Sequence, residues 1–290
     1  MINHENRYPV FIVGSPRSGT SVLVTALVAA GYHGFHEGQF LYIIKGIDEC
    51  VERYLFDWLA KAGPVNGSNG SRALKYYIDK SDLKQRLFHV IRDVESEWNP
   101  EAPWLDKTPE GPWLDKEMIS GLPVIANLWP EGVFIFAKRR AMENVKSRLT
   151  KFPKFSFEYH CASWATTMAA WRGVRGRLPR YRRIEIDQWD IANSPDSIAC
   201  KLQAFLCLDE RQCHSVQQAL RMCWPQQTEG GSAFRLQSLY AANWSDRQIE
   251  TFIGSCGAEL EAFGYSMDDS YFRSGGISAL DEGSVVAARA

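Results

Sequence analysis

Val10-Phe11-Ile12-Val13-Gly14-Ser15-Pro16-Arg17-Ser18-Gly19-Thr20-Ser21-Val22-Leu23 is the stretch on which the reading of this chain turns. A short apolar run rich in β-branched residues ends at Gly14. A loop of small polar residues follows, and an apolar-periodic run then continues to Gly31. This is the pattern of a strand, a loop and a helix. A loop so placed offers several backbone N–H groups and the positive end of a helix dipole, which suits an anion with several oxygens. Gly14 and Gly19 let the backbone approach such an anion closely, and Ser18, Thr20 and Ser21 add hydroxyl donors.

Gly14 and Gly19 are spaced as in a nucleotide-binding phosphate loop, but Thr20 stands where that loop carries its lysine. The cation here is Arg17, inside the loop. A kinase or ATPase uses the lysine to reach the transferring phosphates, so the loop reads as a phosphate site serving other chemistry. The second informative stretch is 133–149, where a buried strand leads through Lys138-Arg139-Arg140 into a helix. Ser147 lies eight positions after Arg139, about two turns into that helix. A guanidinium fork and a hydroxyl placed so can converge on one small anion. Whether Arg139 or Arg140 faces inward stays open.

Two further segments fall where strands should end. Tyr32 to Gln39 lies at the edge where open α/β sheets bind ligands. Glu37 there is a general-base candidate, able to take a proton from an acceptor hydroxyl. His33 and His36 are its rivals, because imidazole titrates near neutral pH. In Trp104-Leu105-Asp106-Lys107-Thr108-Pro109, Pro109 keeps Thr108 out of helical geometry, which would end a strand and hold Lys107 in a loop near the sheet edge.

Pro16-Arg17-Ser18-Gly19-Thr20-Ser21 after an N-terminal strand resembles the 5′-phosphosulfate loop of sulfotransferases that use 3′-phosphoadenylyl sulfate (PAPS). Leu105-Asp106-Lys107-Thr108-Pro109 and the strand, Arg139 and Ser147 of 133–149 strengthen the resemblance, which covers residues 8–266. It implies a three-layer, P-loop-type α/β fold with a central parallel sheet flanked by helices. It also implies transfer of a sulfuryl group to a hydroxyl or amine by in-line displacement, with 3′-phosphoadenosine 5′-phosphate (PAP) as product and no metal. Pro16, Arg17, Ser18, Gly19, Thr20 and Ser21 would hold the 5′ end, and Arg139 and Ser147 the 3′-phosphate. Arg235 would make a further phosphate contact from a C-terminal loop. Glu37 would be the base, Arg17 would stabilise charge growing on the departing phosphate, and Lys107 would help hold the sulfuryl group or bind an anionic acceptor. Arg140-Ala141 replaces the family's usual Asn/Asp-Pro, Cys207 its usual glycine, and Gln188-Trp189-Asp190 its Glu-Asp-Leu. A P-loop kinase and a non-catalytic binder of phosphorylated or sulfated ligands are the competing readings.

The bulk properties agree. At 290 residues, 45% of them apolar and with 10 Trp, 11 Tyr and 15 Phe, the chain can fill a large core. A net charge of −1 gives no global attraction to nucleic acid or an anionic membrane, so any anion site must be local. No apolar run has membrane-span length, and the N-terminus carries no signal-peptide pattern. The seven cysteines include no Cys-x-x-Cys and read as incidental thiols of a cytoplasmic protein. The expected partner is a small-molecule, carbohydrate or lipid-like acceptor. Residues 1–273 read as one domain and 274–290 as a flexible tail. Helices are expected over 41–62, 81–98, 157–175, 193–208 and 245–260, and a late strand over 181–189. The aromatic residues of 157–175 read as core.

Overall fold

The computed structural model describes residues 8–35, 40–52, 80–98, 103–109, 118–222 and 236–273. Five strands, β1 (Val10–Gly14), β2 (His33–Phe35), β3 (Trp104–Pro109), β4 (Val133–Lys138) and β5 (Arg183–Asp187), form one sheet in the order β2-β3-β1-β4-β5. All four pairings are parallel. Parallel neighbours need long crossovers, which helices supply. The described helices are α1 (Thr20–Ala29), α2 (Phe40–Cys50), α3 (Lys80–Trp98), α4 (Leu122–Leu128), α5 (Ala141–Lys151), α6 (Phe157–Arg175), α7 (Gln188–Asn193), α8 (Pro195–Leu206), α9 (Glu210–Met222), α10 (Asp246–Ala262) and α11 (Ser270–Arg273).

The near-continuous apolar character of β1 and β4 follows from burial on both faces. Alternation along the strands then sorts the side chains. Val10, Ile12, Ile135 and Ala137 face Leu23 and Leu27 of α1, Leu202 and Phe205 of α8 and Val216 of α9. Phe11, Phe134 and Phe136 face the other layer, with Ile44 of α2, Met142 and Val145 of α5, Trp164 and Trp171 of α6 and Phe252 of α10. Phe136 stacks on Trp171 with ring centroids 4.5 Å apart. The aromatic residues of α6 are thus core, as their spacing indicates. Each such fully buried side chain contributes about 1.5–3 kcal/mol from apolar burial. The result is the three-layer α/β architecture expected from the sequence.

Of the helix expected over 41–62, the described part is α2, Phe40–Cys50, and residues 53–79 lie outside the described residues. Two local outcomes differ from the sequence reading. The strand expected over 181–189 is shorter. Arg180–Arg182 is a 3₁₀ turn, and the strand stops at Asp187. There the Asp187 carboxylate accepts the Trp189 N–H at 2.8 Å and caps α7, so an N-cap overrides the apolar alternation that continues to Trp189. Helix α9 had no counterpart in that reading. At the end of α8, Cys207 takes the left-handed backbone conformation, φ +53°, that a glycine adopts without strain.

Strands β4 and β5 are also braced by charge. Glu185 accepts from Lys138 Nζ at 2.9 Å, Trp171 Nε1 at 2.7 Å and Arg175 Nη1 at 2.9 Å. Burial alone would raise the Glu185 carboxyl. The Lys138 ammonium, with the Trp171 and Arg175 hydrogen bonds, overrides burial and holds it at about 2, against 4.5 for the free side chain.

Replacing Cys207 by glycine removes the strain of a Cβ at positive φ and should stabilise the protein by about 0.5–1 kcal/mol, read as a higher urea midpoint. Because the folded pKa of Glu185 lies below its unfolded value, the stability it contributes is complete above pH 4.5 and is lost as pH falls towards 2. Glu185→Gln should cost about 3 kcal/mol at neutral pH. The stability difference between parent and variant should shrink over that acid range, measured by denaturant titration at stepped pH.

Candidate functional site

The candidate site is built where β1 and β4 end side by side. Gly14 pairs with Ala137, and its backbone, at φ +151°, runs so close that a Cβ would lie 2.2 Å from the Ala137 carbonyl oxygen. Glycine is therefore required at the strand end, before the loop opens. Along the loop Arg17 holds φ +72°, a left-handed value that costs a side chain about 1–2 kcal/mol. Gly19, at φ +91°, caps α1 with no side-chain cap bond, and no acidic residue stands in the first turn. The positive end of α1 is therefore not offset by a carboxylate in that turn. A Cβ on Gly19 would meet Ile191 of α7 at 3.0 Å, so α7 backs the end of the loop.

The strained Arg17 is where the two clusters meet. Its Nε donates to Ser147 Oγ at 3.0 Å, and its carbonyl accepts from Arg139 Nη1 at 3.0 Å. Arg17, Arg139 and Ser147, drawn from two stretches more than a hundred residues apart, thus share one site. Pro16, Ser18 and Thr20 are buried, and Ser21 is exposed on the first turn of α1. The Ser18 hydroxyl is buried and faces inward, accepting from Asn144 Nδ2 at 3.1 Å, and not outward as the donor read from the sequence. Lys107, opposite Ile12 in β3, is buried on the α1 side of the sheet and donates from Nζ to Ser21 Oγ at 3.2 Å. Lys107 thus lies within the strand and not in the loop expected from the sequence, because β3 continues to Pro109, and its ammonium meets the first turn of α1.

Carboxylates sort the three consecutive cations. Lys138 belongs to Glu185. Arg140, fully buried, forks onto Glu143, with Nε to Oε2 at 2.8 Å and Nη2 to Oε1. It also donates to the carbonyls of Leu236 at 2.6 Å, Asp268 at 2.7 Å and Ser266 at 3.2 Å, and lies over the Tyr271 ring. Arg140 therefore fastens the C-terminal segment, and Arg139 is the residue that turns to the loop. Trp164 Nε1 holds the Arg139 carbonyl at 3.0 Å. Burial lowers the Arg139 guanidinium to about 10. The Glu143 carboxylate opposes this and the Arg17 cation adds to it. Arg139 is thus still charged at neutral pH, and its buried Nε has no hydrogen-bond partner among the described residues. A buried donor without an acceptor is costly, and two adjacent guanidiniums favour an anion between them.

Glu37, His36 and Arg235 lie outside the described residues, while His33 stands at the start of the edge strand β2. Trp244 packs edge-on against Phe157 with centroids 5.0 Å apart and contacts Phe252, so it anchors its segment in the core. Sequence reasoning overlooked Asn144 and Arg148, both fully buried and both bonded to the loop. Their signal was spacing. With Ser147 they occupy i, i+3 and i+4 on one face of α5. Among the described residues no group of three or more His, Cys, Asp or Glu converges as metal ligands, and no helix is long and apolar enough to cross a membrane.

Residues 9–212 match the model of the sulfotransferase family, well over half of the chain. The crystal structure of sulfotransferase STF9 from Mycobacterium avium superposes with a TM-score of 0.53 at 13% identity, over 91% of this chain and 78% of that one. That likeness is one of fold. A sulfotransferase domain from the curacin biosynthetic pathway aligns at 16% identity over 90% of this chain and 99% of its own, with a TM-score of 0.47. No curated protein matches the chain. The matched span contains the loop, Lys107, Arg139 and Ser147, and the chain is an enzyme of the sulfotransferase family, the PAPS-dependent group that the stretches around 10–29 and 133–149 resemble.

Proposed function

We propose that this site binds PAPS and that the enzyme passes its sulfuryl group to a hydroxyl or amine of a small-molecule, carbohydrate or lipid-like acceptor. The observation that carries this reading is the meeting of Arg17, Arg139 and Ser147, with the buried Arg139 Nε left without a partner among the described residues. A nucleotide phosphorylated at both the 3′ and 5′ positions supplies acceptors for both clusters at once. The loop of residues 15–19 and the start of α1 would hold the 5′ end in the manner of a P-loop. Arg139 and Ser147 would take the 3′-phosphate, which ATP lacks.

The donor, when bound, supplies an activated sulfuryl group for in-line displacement. The protein's own groups do the rest. Glu37 accepts the proton of the acceptor hydroxyl. Loop N–H groups, with Arg17 and Lys107, stabilise the negative charge that grows on the phosphate side. Arg17 is already held by Ser147 and by its own carbonyl bond to Arg139, so little reorganisation is needed. Arg235 is proposed to add a phosphate contact. Fixed cations take the place a metal holds in kinases, and Thr20 in place of the lysine argues against a kinase.

Calorimetric titration should show PAP binding at least about tenfold more tightly than ATP, the increment expected of one charge-assisted phosphate contact. Arg139→Met should abolish that preference, weakening PAP more than ATP, and equal affinity for both nucleotides in the parent would end the donor assignment. Glu37→Gln should lower kcat by about a hundredfold or more without weakening PAP binding. An unchanged kcat would move the base to His33 or His36.

A further inference from the structure

Helix α5 presents Asn144, Ser147 and Arg148 on one face. Ser147 belongs to the Arg139 pair, but its two neighbours reach behind the loop that follows β1. Asn144 donates through Nδ2 to the Pro16 carbonyl at 2.9 Å and to Ser18 Oγ at 3.1 Å, and its Oδ1 accepts from Ser15 Oγ at 3.4 Å. Arg148 donates through Nη1 to Ser15 Oγ at 3.3 Å and through Nη2 to Ser163 Oγ of α6 at 2.9 Å. Ser15, Pro16 and Ser18 are thereby tied to the helix that carries Ser147, and α5 is tied in turn to α6. All of these bonds except the outer one to Ser163 lie in the dry interior, where hydrogen bonds to a charged group are strong and their loss is costly.

Resting on the donor reading above, we infer that Asn144 and Arg148 are positioning residues that fix the separation of the two phosphate subsites. They act as a buried bracket between the 5′ loop and the 3′ element. A ligand whose two phosphates are joined through one ribose gains from both subsites only when their spacing matches its own, and misplacement by an ångström forfeits much of that gain. A nucleotide with one phosphate fits either subsite whatever the spacing. The bracket therefore governs discrimination between bisphosphate and monophosphate, not the strength of either subsite alone. This separates it from a general contribution to folding, which would weaken every ligand alike.

The test titrates PAP, adenosine 5′-phosphate and adenosine 3′-phosphate into the parent, Arg148→Met and Asn144→Leu, with thermal melts of each unliganded protein. Both variants should lose about tenfold or more in PAP affinity while either monophosphate changes by less than about threefold. In turnover, KM for the donor should rise while kcat at saturating donor is kept. Should Arg148→Met fail to fold, Ser163→Ala frees only the outer arm of the guanidinium. It should show the same selective loss at about threefold. Equal losses for all three ligands, or an unchanged PAP affinity in folded variants, overturn the inference and leave the donor reading standing. A parent that does not prefer PAP over the monophosphates overturns both.

Discussion

The close passage of Gly14 beside Ala137 governs everything at the ligand edge of this protein. A Cβ there would sit 2.2 Å from a backbone oxygen, so β1 and β4 pair in this register only because the residue has no side chain. The pairing ends both strands at the same level. The loop after β1 and the basic turn after β4 then emerge next to each other, with α1 and α5 starting from the same edge. Two helix N-termini, the Arg17 and Arg139 guanidiniums and Ser147 converge as a consequence of backbone geometry.

Around that edge the protein distributes charge with care. The net charge of −1 conceals a local concentration of cations, and buried carboxylates decide which of them turn away from the loop after β1. Glu185 engages Lys138 and Arg175, while Glu143 engages Arg140. Desolvating ion pairs in this way gives little net stability against an apolar core. What it does give is orientation. Arg139 is held against the Arg17 carbonyl with its basicity lowered by burial and by the Arg17 cation, and its Nε has no partner among the described residues. The strained backbone of Arg17 fits the same pattern, since left-handed non-glycine residues persist where the surrounding contacts over-determine them.

The parts of the fold that could be read from the chain are those whose signal is local. The strand, loop and helix at 10–29 and again at 133–151 each combine an apolar run, a break rich in small or basic residues, and a helical period. They also carry the residues on which the family resemblance rests. Elements resting on weaker local signals were misjudged. Apolar alternation extended β5 past Asp187, whose carboxylate in fact starts a helix, and α9, with few apolar residues, was not foreseen. Asn144 and Arg148 passed unnoticed because a polar residue on an amphipathic helix gives no sign of burial until the element covering it is known.

The sequence alone determined the α/β class, the location of both stretches that carry the family resemblance and the absence of the kinase lysine, because periodicity, glycine spacing and residue chemistry act within a few positions. Only the tertiary structure decided that Arg139 and not Arg140 faces the loop, that Arg17 joins Ser147, and that Lys107 reaches the first turn of α1. Those outcomes depend on strand register and on which carboxylates, distant in the chain, arrive beside each cation. Long-range pairing of that kind has no counterpart in the local order of residues.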